Sequence, residues 1–403
     1  MDPSPGGPTL RPVIEFSPQP LRVVIAGGGI AGIEATLALR EFAGDAVDIT
    51  VIDPGERFRV PGTATGRAFG LSQGVDLRLA DVVYRAGGSL VGGRVESVEP
   101  GAQTVTLAGG RALPYDALIV AVGATPIPVV PGALTFTGPA DVGSVRTLVD
   151  DISQRALRGA ETGLAVIVPP GCGWPLAAYE LALMTREHLA QFESPAEASI
   201  CIITSEETPL DVFGPVAGDA VRRMLDRAAI TVCTEAVVRG WNAGRLDLED
   251  GGSLWADRVI ALPVHLGPAV RGLPSDSDGF ISTEPDGRVS GAPGVWAVGD
   301  GTTSPVKQGG IACQQADAVA AAIAGSLAIE IDAPPPTPSL KGWMWDGRRG
   351  RRLPSGASDS DVERGDLPPV WPVAKVGGRF LAPFLHSLVA GRTPAGGPIG
   401  VPA

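Results

Sequence analysis

The sequence predicts an α/β protein built on two Rossmann-like dinucleotide-binding units, with a C-terminal α+β region attached. Three observations lead to that class. Residues 23–40, VVIAGGGIAGIEATLALR, read as an apolar strand, a glycine turn and a helix. Residues 164–189, LAVIVPPGCGWPLAAYELALMTREHL, repeat the pattern. Residues 294–325 begin as an apolar strand and a GDG turn, then run into a long Ala-rich helix whose small-residue face suits close packing on a sheet or a cofactor.

In the first unit, Gly27, Gly29 and Gly32 fit G-x-G-x-x-G. The first glycine permits a tight turn, the second lets backbone approach a pyrophosphate, and the third lets the helix sit close to the strand. The helix N-terminus then offers unpaired N–H groups to the phosphates. A second apolar strand, VDITVID, ends at Asp53, 21 residues after Gly32 and where an acid can hold an adenosine ribose hydroxyl. Short β-type segments follow, and an apolar strand from Ala117 leads to Gly123. In the second unit the turn reads PPGCGWPLAAYE: Gly171 and Gly173 are kept, but Trp174 and Pro175 fill the third small position. Bulk there crowds a pyrophosphate, so an NAD(P)H site is weakened without being excluded. Residues 331–338, IDAPPPTP, form a stiff linker. Beyond it a hairpin turns at Asp346-Gly347.

Composition sets outer bounds. At 403 residues the chain is long for one core. A net charge of −12 argues against a nucleic-acid binder held by phosphate contacts. The four cysteines and three histidines show no CxxC and no metal-ligand spacing, so no metal is expected. Residues 1–20 lack the basic start and apolar core of a signal peptide and are expected to be a flexible tail. No apolar run reaches the roughly 18 residues of a membrane span, which points to a cytoplasmic protein, soluble or peripheral to a membrane.

GGGIAG (27–32), IVAVGATP (119–126) and VWAVGDGTT (295–303), in that order, resemble the FAD-dependent pyridine nucleotide–disulfide oxidoreductase superfamily. The resemblance implies an FAD domain in two pieces, residues 21–140 and 266–330, with an NAD(P)-binding-like domain inserted at 141–265 and a C-terminal interface domain at 331–403. It implies FAD pyrophosphate at Gly27, Gly29 and Gly32, adenosine ribose at Asp53, close cofactor approach at Gly123, and ribityl or pyrophosphate hydrogen bonding at Asp300. The helix starting near Gln308 would face the flavin C2 carbonyl side, and Lys307 would favour the reduced anion.

PVKQGG-x-x-C-QQA (305–316) and the C-terminal extension are similar to one branch: type II NADH dehydrogenases, sulfide:quinone oxidoreductases and the flavoprotein subunit of flavocytochrome c sulfide dehydrogenase. The disulfide reductases fit poorly, because no cysteine precedes Cys172. Aligned on Pro175, Tyr179 and Glu180, the redox cysteine of the sulfide-oxidising branch is replaced by Trp174, with Cys172 two residues earlier. A Cys172–Cys313 pair would need the fold to bring the two together. Trp174 would shape a pocket beside the flavin. Glu180 would relay a proton, with Arg59, Arg67 or Lys307 as partner.

In the C-terminal region, Val376, Phe380, Leu381, Phe384, Leu385 and Leu388 fall at helical spacing, with a kink expected at Pro383. Trp343, Trp345, Arg348, Arg349, Arg351 and Arg352 make an aromatic and cationic patch. Core or dimer packing is the favoured reading of both, with peripheral membrane contact as the other. The expected activity is two-electron transfer through flavin N5, from NAD(P)H or an organic substrate to a quinone or another acceptor, in a homo-oligomer. The alternatives are a small-molecule flavin dehydrogenase or oxidase without a nicotinamide site, and a flavin-bound redox sensor.

Overall fold

The computed structural model describes residues 19–192, 198–331, 335, 337–347, 349–354 and 373–390. Residues 1–18 of the expected tail, and Arg348 of the basic patch, lie outside the described residues.

In chain order the elements that build the two sheets and their cover are β1 (Leu21–Ala26), α1 (Ile30–Ala43), β2 (Val47–Asp53), β3 (Ser89–Gly92), β4 (Ala117–Val120), β5 (Leu134–Thr135), α2 (Val142–Leu157), β6 (Thr162–Val168), α3 (Leu176–Leu189), β7 (Ala198–Thr204), α4 (Pro215–Arg227), β8 (Ile230–Cys233), β9 (Arg258–Ala261), β10 (Val295–Ala297), α5 (Gly309–Ser326), β11 (Lys341–Trp345), β12 (Gly350–Pro354) and α6 (Leu381–Ala390). The first sheet runs β10-β4-β1-β2-β3 and the second β5-β9-β6-β7-β8. Every pairing in both is parallel. From one edge, each reads third, second and first strand of its unit, then a strand arriving from further along the chain. This is the doubly wound order with its crevice beside the first strand.

Alternation along the strands explains the layers. In the first sheet Val23, Ile25, Ile49, Val51 and Ile119 point to the face covered by α1 and α5. Val24, Ala26, Ile52, Leu118 and Val120 point to the other, covered by an antiparallel three-stranded ribbon (Val95–Glu99, Thr104–Leu107, Ala112–Pro114). The second sheet repeats the plan. Leu164, Val166, Ile200 and Ile202 meet the helices, and Ala165, Ile167, Ile203 and Val259 meet a second ribbon (Val238–Asn242, Arg245–Leu248, Ser253–Trp255). Strands buried on both faces need continuous apolar runs, which is what LAVIV and ASICII supply.

The chain crosses between the units twice, side by side: Thr125–Ile127 pairs antiparallel with Val264–Leu266. Strand β5 already belongs to the second sheet, ahead of residue 141. The C-terminal region lies across both units. β11 and β12 form the expected hairpin around Asp346 and Gly347, and send Met344 and Leu353 into the second helical core. The later arm sends Val376, Leu381 and Leu385 into the first. Arg351 is not part of an open basic patch, because it pairs with Asp346 at 2.6 Å. The kink expected at Pro383 does not interrupt α6. The helix begins at Leu381, so Pro383 falls in the first turn, where an amide would have no helical partner. Among the described residues, no helix is long and apolar enough to cross a membrane.

Leu385 is fully buried in the first core. Leu385→Ala should therefore destabilise the protein by about 2–5 kcal/mol in denaturant unfolding, while a helix lying on the surface would lose well under 1 kcal/mol.

Candidate functional site

The glycine turn after β1 is held by backbone. Gly27 has φ +114, and a Cβ there would stand 2.2 Å from the Ala121 carbonyl oxygen. A Cβ on Gly32 would stand 1.8 Å from the Gly27 carbonyl oxygen, so only glycine lets α1 sit this close to β1. At Gly29, in contrast, the space a Cβ would fill is open, which is the side a diphosphate would approach. Asp53, closing β2, accepts from the N–H of Gly28 and of Gly55, both at 2.7 Å. Each carboxylate oxygen keeps a further lone pair for a sugar hydroxyl. Gly123 (φ +71) carries the chain past the end of β4, and its carbonyl oxygen lies 2.8 Å from where a Cβ on Gly301 would be.

These turns open into one cavity of about 340 Å³. Its wall includes Gly27, Gly29, Asp53, Gly123, Asp300, Lys307, Gln308, Trp174, Trp343 and Lys375. The Asp300 carboxylate has no hydrogen-bond partner among the described residues. Burial pushes it above the usual carboxylate range, and the Lys307 ammonium partly offsets this. A row of ribityl hydroxyls would satisfy it, so the residues present fit FAD. Gln308 caps α5: its Oε1 accepts from Ile311 N–H at 2.8 Å and its Nε2 donates to the Lys341 carbonyl at 3.1 Å. The helix therefore starts at the cavity with Gly309 in the wall. Lys307 also lines the cavity. Its ammonium donates to the Thr302 carbonyl at 2.7 Å and sits 3.8 Å above the Phe280 ring.

The expected partners of Glu180 require correction. Its carboxylate is buried and does not line the cavity. Lys375 Nζ donates to both oxygens at 2.6 Å, Thr65 Oγ1 donates at 2.7 Å and Trp345 N–H at 2.9 Å. Arg59 pairs with Asp76 instead, at 3.3 Å. The ion pair carries side-chain exposures of 6% and 1%, so neither charge has water to fall back on. Burial lowers the Lys375 ammonium below the ordinary lysine value, against the raising effect of Glu180.

The cysteines do not meet. Cys172 packs in the second helical core and Cys313 in the first. Burial pushes the Cys172 thiol up to about 12, far from a reactive thiolate, and Cys172 is outside the cavity wall. Trp174 does line the cavity, with its ring 5.6 Å from Phe213. Among the described residues, no group of three or more His, Cys, Asp or Glu could hold a metal.

Sequence reasoning missed two residues. Lys375 left no local signal, because its partner lies 195 positions away. Glu206, two residues past the end of β7, did leave one: it is an acid near the end of the second strand of its unit, one position beyond the register place of Asp53 in the first. Its Oε2 accepts from Tyr179 Oη at 2.6 Å and Thr204 Oγ1 at 2.8 Å. Burial raises its carboxyl, with Tyr179 and Thr204 opposing.

Two doubly wound units facing one cavity that fits FAD define a two-domain flavoprotein. The family model for pyridine nucleotide-disulphide oxidoreductases matches residues 21–320, and the chain belongs to that family of FAD-dependent, NAD(P)H-using oxidoreductases. It is 27% identical over 315 residues to the type II NADH:quinone oxidoreductase NdhA of Mycobacterium tuberculosis, covering 69% of this chain and 66% of that protein. It is 31% identical over 185 residues to putidaredoxin reductase CamA of Pseudomonas putida, covering 43% and 42%. The chain thus spans less than two thirds of either relative. Among solved structures, the sulfide:quinone oxidoreductase from Aquifex aeolicus matches with a TM-score of 0.72 at 20% identity, over 82% of this chain and 83% of that one, a likeness of fold.

Two substitutions test the site. Gly27→Ala should yield protein lacking the yellow flavin absorbance, since the added methyl meets the Ala121 carbonyl. Lys375→Met strands a buried carboxylate and should cost about 3–5 kcal/mol in chemical unfolding, most of it recovered in Lys375→Met/Glu180→Gln.

Proposed function

We propose that this chain is an FAD-dependent oxidoreductase that takes two electrons from NADH and delivers them to a quinone. The observation that carries this reading is the cavity wall: Trp174 and Trp343 both line it, and no cysteine does. A flat, uncharged, apolar acceptor suits such a slot, because the indoles stack on its ring. A sulfide or dithiol substrate would call for a nucleophilic cysteine, and Cys172 lies outside the wall.

Bound FAD supplies the two-electron redox chemistry. The chain's own residues would orient and insulate it: Asp53 and Asp300 would accept sugar and ribityl hydroxyls, the N-terminus of α5 would present N–H dipoles, and the indoles would keep water from the acceptor slot. For the donor, Glu206 supports NADH over NADPH, since a carboxylate favours a ribose diol and repels a 2′-phosphate. The similarity to NdhA, a type II NADH:quinone oxidoreductase, points the same way.

One feature favours a second reading, a dehydrogenase without a nicotinamide site. The Gly173 turn is packed so tightly that a Cβ there would lie 2.2 Å from Lys307 Cγ, and the Lys307 N–H donates to its carbonyl at 2.9 Å. Anaerobic mixing separates the two. On the first reading NADH bleaches the flavin band faster than NADPH, and a soluble naphthoquinone restores it. Bleaching by neither nucleotide would leave the second reading standing. Trp174→Ala should raise the quinone KM up to about tenfold, the value of roughly 0.5–1.5 kcal/mol of ring stacking, while leaving flavin reduction by NADH little changed.

A further inference from the structure

Phe213 is not in the cavity wall, yet it touches two of its supports. It ends a short 3-10 turn, Asp211–Phe213, just ahead of α4, and its side chain is 1% exposed in the second helical core. On one side its ring centroid lies 5.6 Å from that of Trp174, with the planes 59° apart. That falls within the range of about 4.5–7 Å in which aromatic rings attract beyond simple burial. On another side is Gly342 of β11, where a Cβ would stand 2.6 Å from Phe213 Cζ and 2.9 Å from Cε1. Only a residue without a side chain leaves room for the ring there. Side chains alternate along a strand, so Gly342 and Met344 share the face turned to the second core, and Trp343 between them faces away from it and lines the cavity. Phe213 is thus wedged between an indole of the cavity wall and the strand that carries the other.

The backbone that carries the ring is itself pinned. Phe213 N–H donates to the Leu210 carbonyl at 2.9 Å, and Gly214 N–H to that of Asp211 at 2.8 Å. The Asp211 carboxylate accepts from the N–H groups of Glu207 and Thr208, both at 2.9 Å. Leu210 is fully buried at φ +58, a left-handed conformation that a leucine keeps only where its surroundings hold it.

We infer that Phe213 is a positioning residue for the electron acceptor: it fixes the Trp174 indole in the orientation that stacks on the acceptor ring, and Gly342 is the seat that admits it. This rests on reading the Trp174 wall as the acceptor slot. Phe213 acts through Trp174 rather than on the acceptor, since it does not reach the cavity. A buried ring packed behind the indole removes the other orientations that the indole could take. Without it, the indole can swing into the vacated volume, and each binding event must order it again.

The test takes the FAD-loaded protein, reduced with one equivalent of dithionite, and mixes it anaerobically with a soluble naphthoquinone, so that no donor site is involved. Reoxidation at rising quinone gives a half-saturating concentration and a limiting rate. Phe213→Leu keeps the position apolar but sets no ring against the indole. It should raise the half-saturating concentration about threefold, within the roughly two- to tenfold that ordering one loose side chain costs on binding, and leave the limiting rate within about twofold. In a Trp174→Ala background the same substitution should add nothing, because the indole it acts through is gone. No effect of Phe213→Leu in the native background, or an equal effect in both, overturns the inference. No effect of Trp174→Ala overturns instead the acceptor reading on which the inference stands. A second readout needs no turnover. In protein labelled with 5-fluorotryptophan, the Trp174 fluorine line, assigned by its loss in Trp174→Ala, should be single and narrow, and should broaden or split in Phe213→Leu. The line of Trp255, 69% exposed on the second ribbon, should stay unchanged. Should Phe213→Leu fail to fold, Gly342→Ala takes its place: its methyl has to shift the ring, and a Trp174 line unmoved by it overturns the inference.

Discussion

Backbone meeting backbone at the carboxyl edge of the first sheet is the constraint on which the rest of this structure depends. Gly27 lies against the Ala121 carbonyl, Gly32 against the Gly27 carbonyl, and Gly301 against the Gly123 carbonyl, each too close for a single added carbon. Three chain segments, ending β1, β4 and β10, thus converge with no side chains between them. Such convergence leaves exposed N–H groups and a groove whose walls are peptide, and an anionic dinucleotide binds where N–H dipoles are free and carbon is absent. The acids that would touch its hydroxyls, Asp53 and Asp300, follow from this arrangement, since each closes or just follows a strand reaching that edge.

The second constraint is electrostatic and joins parts that the sheets alone would leave independent. Glu180 comes from the second unit, Thr65 from the first, and Trp345 and Lys375 from the C-terminal region. Removing a carboxylate and an ammonium from water costs several kcal/mol for each, and the pair recovers this only because the remaining lone pairs are also filled. Such a pair is weak evidence for stability in itself. In this structure it ties the C-terminal arm to the second unit through Lys375 and Glu180. Lys375 and Trp343 both line the cavity.

What could be read from the sequence follows from the range of each interaction. The strand–turn–helix patterns at residues 23–40 and 295–325 encode their own geometry within a few positions, and the predicted Gly27, Gly29, Asp53, Gly123, Asp300, Lys307, Gln308 and Trp174 all reach one cavity. The repeat of strand, turn and helix at residues 164–189 was also legible. Which segments cover the faces of the two sheets was not. Val376, Leu381 and Leu385 announced an apolar stripe, but nothing local says that the stripe meets α1 and α5. Glu180 looked ready for proton transfer until Lys375 arrived from 195 positions away. Cys172 and Cys313 looked available to each other because a sequence does not show that they belong to different cores.

The two units repeat one plan yet differ where it matters for the donor. In the first, the open space at Gly29 leaves the turn free for a phosphate. In the second, Trp174 lines the cavity and packs 5.6 Å from the Phe213 ring, and Pro175 precedes α3 at φ −70, a value the helix start accepts without strain. What tightens this turn is the other unit: Lys307 packs on Gly173 and donates its N–H to the Gly173 carbonyl. Any displacement of the second turn to admit a nucleotide must then move Lys307, and with it the charge that partly offsets the burial of Asp300. A nucleotide bound at this turn would thus be coupled to the flavin site through one lysine, since Lys307 touches Gly173 and lines the same cavity as Asp300.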